Sequence, residues 1–330
     1  MLADAYGRRI TYLRLSVTDR CNYRCFYCRP AGGDPGRAAR AELLSLAETV
    51  RLVRLFTELG VTHVRITGGE PLVRRDLPEL ARAIAAMPGV SDLSLSTNGQ
   101  LLACHAATLR EAGVRRVNIS LDALDPAIFS RITGGGDVRA VLRGSDAARA
   151  AGLSPLRLNM VVLRGVNESE IERMVEFASG IGAEARFIET MPIGPSGLHS
   201  MAYYFPAAEI LERVRRVCGA RLHPILARTG AGPAHYFELS PGGVRIGVIS
   251  AVSQHFCATC NRVRLTAAGE LVLCLGAAHR VDLRKILRQG LSDNDLKTQM
   301  QLALLRKPHS HEFAHAGAVP ITLPMSALGG

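Results

Sequence analysis

Short runs rich in aliphatic and β-branched residues recur along the front of the chain, at 13–17, 63–67, 92–96, 117–120, 158–162 and 186–189. Each predicts a strand. Between them, apolar residues fall at helical spacing over 42–59, 77–87, 101–112, 138–151 and 168–179. Gly60, Gly113 and Gly152 stand directly behind three of these segments, where a helix commonly closes on a left-handed residue. Strand then helix, about six times over, predicts parallel strands joined by right-handed crossovers. The choice at this point lies between a (β/α) barrel, complete or partial, and a doubly wound sheet.

In either arrangement functional residues belong just behind the strands, at their C-terminal ends. Cys21 follows the first strand, Thr67-Gly68-Gly69-Glu70-Pro71 the second, Thr97-Asn98-Gly99 the third, Leu121-Asp122 the fourth and Thr190-Met191-Pro192 the sixth. Glycines of ordinary loops would be spread over both ends. After Pro192 the pattern changes. Gly194-Pro195-Ser196-Gly197 reads as a linker, followed by shorter strand-like runs at 236–239, 244–249, 262–266 and 271–273 and helical stretches at 282–288 and 293–306. The chain is therefore expected to divide into residues 1–193, a (β/α) unit, and 194–330, a smaller α+β extension.

Composition narrows the class. A chain of 330 residues that is 48% hydrophobic can bury a large core. It has no apolar run of about 18 residues, and its charged opening residues lack an apolar segment behind them. A cytoplasmic protein with no membrane association is expected. The net charge of +11 draws anions such as nucleotides or phosphorylated metabolites. Nucleic acid is disfavoured: no compact Lys/Arg run is present, aromatics make up 5%, and there is no Trp for base stacking.

Eight cysteines without a secretion signal point to metal or catalysis before disulfides. Six form two trios, Cys21, Cys25 and Cys28 near the start and Cys257, Cys260 and Cys274 late in the chain. Iron–sulfur cubanes are normally held by four thiolates, so three leave one iron open for a small molecule. Cys104 and Cys218 carry no motif and read as ordinary buried or half-buried thiols.

The C-x3-C-x2-C spacing with Tyr27 before its last cysteine resembles the radical S-adenosylmethionine superfamily. The resemblance implies a partial (β/α)6-type TIM barrel with the smaller C-terminal extension. It also implies S-adenosylmethionine on the open iron of a [4Fe-4S] cluster held by Cys21, Cys25 and Cys28. Tyr27, Gly69, Ser120 and Met191 then become cofactor contacts.

The second trio, set in Cys257-Ala258-Thr259-Cys260-Asn261-Arg262-Val263-Arg264-Leu265-Thr266 and closed by Cys274, narrows the resemblance. It is similar to the second cluster site of the molybdenum cofactor biosynthesis protein A family, the GTP 3',8-cyclases. Residues 13–22, 65–77, 118–122 and the terminal Met325-Ser326-Ala327-Leu328-Gly329-Gly330 match as well. What this implies is a radical lyase that converts GTP to (8S)-3',8-cyclo-7,8-dihydroguanosine 5'-triphosphate. Cys257, Cys260 and Cys274 would hold a second [4Fe-4S] cluster whose open iron meets the guanine. Arg14, Arg65, Ser96, Arg157, Arg262 and Arg264 would contact GTP, with Arg157 standing where the family often has Lys. Arginine's planar fork suits phosphate oxygens, and five arginines with Ser96 converging on strand ends speak against scattered surface ion pairs. The pair Gly329-Gly330 would enter the active site and serve catalysis. A homodimer, an external low-potential electron donor and a downstream cyclic pyranopterin monophosphate synthase are further family expectations. Two other readings stay open: a peptide-modifying radical enzyme with an auxiliary cluster, and a basic zinc protein that binds RNA.

Overall fold

A computed structural model describes residues 1–29, 39–225, 232–239, 243–311, 313 and 323–329. In chain order its strands and helices are β1 (Tyr12–Ser16), α1 (Leu46–Glu58), β2 (His63–Thr67), α2 (Leu77–Ala85), β3 (Asp92–Thr97), α3 (Leu102–Glu111), β4 (Arg116–Ser120), α4 (Pro126–Thr133), α5 (Val138–Ala150), β5 (Arg157–Val162), α6 (Ile171–Ile181) and β6 (Glu184–Glu189). There follow α7 (Gly194–Ser200), α8 (Ala207–Cys218), β7 (Leu222–Ile225), β8 (His235–Leu239), β9 (Arg245–Ile249), β10 (Arg262–Leu265), β11 (Glu270–Val272), β12 (Arg280–Asp282), α9 (Leu283–Arg288), α10 (Asp293–Leu304) and α11 (Met325–Leu328).

All described strands join one sheet in the order β12, β11, β10, β1, β2, β3, β4, β5, β6, β9, β8, β7. From β10 through β1 to β6 and on to β9 every neighbour is parallel; β7, β8, β11 and β12 pair antiparallel at the two margins. The extension thus sends one parallel strand to each edge of the six-stranded unit, β10 beside β1 and β9 beside β6. This moves the sheet's edges from β1 and β6 out to the short strands β12 and β7, which offer less ladder to foreign strands.

Alternation along the parallel strands separates two faces. Leu13, Leu15, Val64, Ile66, Leu95, Val117, Ile119, Leu158, Met160, Ala185 and Phe187 are fully buried in one continuous apolar core with the helices. The opposite positions are polar: Arg14, Arg65, Ser94, Asn118, Arg157 and Arg186. The sheet curves around that polar side. In a flat sheet β1 and β6 would lie about 24 Å apart, five spacings of about 4.8 Å, yet the charge of Arg186 acts on both Arg14 and Arg65. The polar faces therefore look into a common interior, the partial barrel expected from the sequence.

Local signals account for most helices. Ser45 and Glu48 close a reciprocal capping box on α1, and Ser292 and Asp295 do the same on α10. The expected linker at 194–197 is instead the start of α7. Its glycines serve close packing: a Cβ on Gly194 would lie 2.9 Å from the carbonyl oxygen of Leu323, and one on Gly197 would lie 2.6 Å from that of Met191. Cys218 is buried, whereas Cys104 is exposed on α3, contrary to the expectation of a buried or half-buried thiol. No described helix is long and apolar enough to cross a membrane.

Candidate functional site

The first cysteine trio occupies the loop behind β1. All eight cysteines of the chain are free thiols. Cys25 is pushed well up by burial, and then by the charges of Asp122, Cys28 and Cys21, so the three sulfurs lie near enough to sense one another. The loop is held from two strand ends. Gly69 donates to the carbonyl of Thr18 at 2.8 Å and Glu70 to that of Arg20 at 2.7 Å. A Cβ at Gly69 would lie 2.4 Å from the Arg20 carbonyl oxygen, and one at Gly68 would lie 2.5 Å from that of Thr18. The glycine pair is thus demanded by backbone-to-backbone contact with the cysteine loop.

Glu70 is fully buried. It accepts from the Leu72 amide at 3.0 Å, the Thr97 hydroxyl at 2.7 Å and the Asn98 amide at 2.7 Å. Burial pushes its carboxyl up to about 7 despite these donors. Asn98 in turn donates to Asn22 at 2.7 Å and reaches the Cys21 sulfur at 3.9 Å. Just behind β4, Asp122 accepts from the Tyr27 hydroxyl at 2.6 Å and the Val161 amide at 2.8 Å. Glu70, Asn98 and Asp122 sit within motifs read from the sequence, yet their organising roles depend on partners across the sheet. Ser120 ends β4, half-buried. Met191, behind β6, packs with Ile193, Val272 and Leu328.

The second trio lies at the other end of the barrel. Cys260 precedes β10, which runs parallel to β1 with Arg262 opposite Tyr12, and Cys274 follows the antiparallel β11 back to the same end. Cys274 is raised by burial and further by Cys260 and Cys257, so this trio is also mutually close. Cys260 is pushed up by burial, but the nearby charges of Arg262 and then Lys307 outweigh it and leave the thiol lowered. Among the described residues no three His, Cys, Asp or Glu side chains are grouped to hold a metal ion. A cubane takes one thiolate per iron, and each trio offers three free thiols.

Between the two ends runs the polar interior. The arginines stand at mid-strand or at strand starts, not at the C-terminal ends expected from the sequence. Arg14 lies opposite Arg65 and Arg264, and Arg157 lies opposite Asn118 and Glu184. Ser96, on β3, shares this face. Burial lowers Arg14 to about 9, with Arg264 the next cause, and lowers Arg65 and Arg264 to about 10. Arg157 is 1% exposed and bonds Glu184 at 2.5 Å. Arg262 stacks its guanidinium 4.7 Å from the Phe256 ring centre.

Cations held together this closely call for an anion. The interior also contains buried polar atoms without a described hydrogen-bond partner: Tyr12 Oη, Arg157 Nη1, Asn159 Oδ1 and Arg186 Nε. Such atoms are costly unless a ligand or water meets them. Arg186 was missed in reading the sequence, although its two-residue offset from Glu184 carries the parity signal. The C-terminal segment enters the same space. A Cβ on Gly329, whose φ is +76°, would lie 2.6 Å from Thr67 Cγ2, and Arg264 donates to the Gly329 carbonyl. Gly330 lies outside the described residues.

Comparison with known proteins agrees with this arrangement. The Radical SAM superfamily model matches residues 15–178, and the Molybdenum Cofactor Synthesis C model matches residues 183–313. The GTP 3',8-cyclase of Hydrogenovibrio crunogenus is 49% identical over 94% of this chain and 94% of its own length. That of Marinobacter nauticus is 43% identical over 100% and 98%, and GTP 3',8-cyclase 1 of Pseudomonas aeruginosa is 44% identical over 99% and 98%. Among solved structures, Streptococcus suis SuiB bound to S-adenosylmethionine superposes with a TM-score of 0.64 at 14% identity, covering 92% of this chain and 73% of that one; this likeness concerns the fold alone. Two [4Fe-4S] clusters and S-adenosylmethionine are the cofactors of this group. The chain belongs to the GTP 3',8-cyclase family of the radical SAM superfamily.

Proposed function

We propose that this chain binds GTP in its arginine-lined interior and closes the ribose onto the guanine, giving (8S)-3',8-cyclo-7,8-dihydroguanosine 5'-triphosphate at the start of molybdenum cofactor biosynthesis. The observation that carries this is the column of cations and orphaned polar atoms joining two three-thiol sets at opposite ends of one barrel. When bound, S-adenosylmethionine and its cluster supply the radical that removes hydrogen from C3' of the ribose. Cys21, Cys25 and Cys28 would hold that cluster, with Tyr27, Gly69, Ser120 and Met191 around the cofactor. Cys257, Cys260 and Cys274 would hold the second cluster at the guanine end.

The chain's own part is to clamp the nucleotide. Arg14, Arg65, Arg157, Arg262 and Arg264, with Ser96, would fix the triphosphate and sugar so that one hydrogen alone faces the radical source. Holding reactants in a near-attack geometry is worth up to roughly 7–11 kcal/mol. Lowered arginine pKa values still leave these groups charged at neutral pH, so each can offer a cation to phosphate. Gly329, bonded to Arg264, would close the interior and keep water from the substrate radical, with Gly330 completing the tail.

The cytoplasm as location, a homodimer, an external low-potential electron donor and a downstream cyclic pyranopterin monophosphate synthase complete the reading. Anaerobic incubation of reconstituted protein with GTP, S-adenosylmethionine and a strong reductant should yield 5'-deoxyadenosine and a cyclised nucleotide by mass analysis. Deoxyadenosine formation with GTP recovered intact would refute the substrate assignment.

A further inference from the structure

The cysteines of the second trio stand on two separate stretches of chain, one entering β10 and one leaving β11. Two cations, the half-buried Arg8 and the buried Lys307, hold the backbone beside them. Arg8 donates from Nη1 to the carbonyls of Cys257 and His309, both at 2.7 Å, and from Nη2 to that of Pro308 at 2.6 Å. Its Nε is fixed by Asp4 at 2.5 Å. Lys307, 3% exposed, donates from Nζ to the carbonyl of Arg262 at 3.0 Å and to that of Leu273. Arg262 stands two residues after Cys260, and Leu273 directly before Cys274. The three residues 307–309 are thereby bound to the chain next to all three cysteines.

Lys307 poses an electrostatic problem that the described protein does not solve. Among the described residues no carboxylate pairs with it, and carbonyl oxygens satisfy hydrogen bonds without cancelling charge. A buried, unmatched ammonium is strongly unfavourable. The anions that can offset it at this end of the barrel are the thiolates of the trio and a cluster bound to them.

We propose that Arg8 and Lys307 are positioning residues for the second cluster: they set the two cysteine-bearing stretches at the separation the cluster requires, and Lys307 neutralises part of its negative charge. This rests on reading Cys257, Cys260 and Cys274 as ligands. It also ties the cluster loops to the stretch at 307–309, so the guanine end is built around contacts absent from both cysteine motifs.

The test uses the full chain, reconstituted anaerobically, with Lys307→Met, Lys307→Arg and Arg8→Gln. Iron and sulfide per chain are quantified. The second cluster's electron paramagnetic resonance signal is recorded with Cys21, Cys25 and Cys28 replaced by Ala. Lys307→Met and Arg8→Gln should lower iron from about eight toward about four per chain, or shift that signal, while S-adenosylmethionine cleavage and the melting transition persist. Lys307→Arg should recover part of the loss. Full iron with an unchanged signal in both neutral variants overturns the proposal, as does loss of both clusters together with cooperative melting. If replacing Cys257, Cys260 and Cys274 themselves leaves iron at its full value, the ligand reading fails and takes the proposal with it.

Discussion

The guanidinium of Arg264 donates to the carbonyl of Gly329, so a side chain on the interior face of β10 holds the penultimate residue of the chain inside the barrel. Gly329 has a left-handed backbone and no room for a methyl group beside Thr67. Gly329→Ala should therefore displace the tail. We expect GTP cyclisation to fall at least about tenfold, equivalent to roughly 1.4 kcal/mol, with uncoupled S-adenosylmethionine cleavage retained. Parallel assays of deoxyadenosine and cyclised nucleotide would reveal the split; equal activity of variant and parent would rule the tail contact out.

Arg157 and Glu184 form a buried ion pair across neighbouring strands. Removing one partner strands the other charge in a poorly solvated place, at a cost of about 3–5 kcal/mol. Arg157→Ala should lower stability by that order, and Arg157→Lys, which retains the charge, by clearly less. Denaturant unfolding of both variants checks this, and equal losses would show that burial of the stem, not charge, dominates.

Gly69 is held against the chain that carries Cys21. Because a Cβ there would sit 2.4 Å from a carbonyl oxygen, Gly69→Ala must shift the first cysteine loop. Iron in the reconstituted protein should drop by about four per chain, with cofactor cleavage abolished and the second cluster's signal intact. Wild-type iron content would mean that the loop adapts without cost.

Glu70 supplies a pH signature. Its carboxyl is raised from 4.5 to about 7 by burial, so the folded state holds the proton more tightly than the unfolded one. Its contribution is fully present below about 4.5 and is lost as pH rises through about 7, an effect of up to roughly 3 kcal/mol. Glu70→Gln cannot titrate. The stability difference between parent and variant should therefore shift in the variant's favour between about pH 5 and pH 8, measured by denaturant unfolding. A difference independent of pH would show that the carboxyl is ionised throughout.

Much of this organisation was legible in the chain. The runs at 63–67 and 92–96 are strands almost to the residue because β-branched residues in the first, alternation of Leu with Ser in the second and flanking turns act locally. Other elements were hidden by competing local signals. Gly194-Pro195 reads as a linker but starts α7, and α4, capped by Asp125 and opened by Pro126, was not anticipated. In α8 the buried Ile210, Val214 and Cys218 recur every fourth residue, a helical period that went unread beside so many charged neighbours.

By itself, the order of residues determined the repeating strand and helix pattern, the two cysteine trios and the glycine motif behind β2, since spacing along a covalent chain is already a geometric constraint. Only the tertiary structure decided that β9 and β10 join opposite edges of one sheet and that the trios face each other from its two ends. It also decided that Arg157 meets Glu184 and that Gly329 reaches Arg264. Those outcomes depend on strand register and on which buried charges find partners, and both are settled by contacts between residues far apart in the chain.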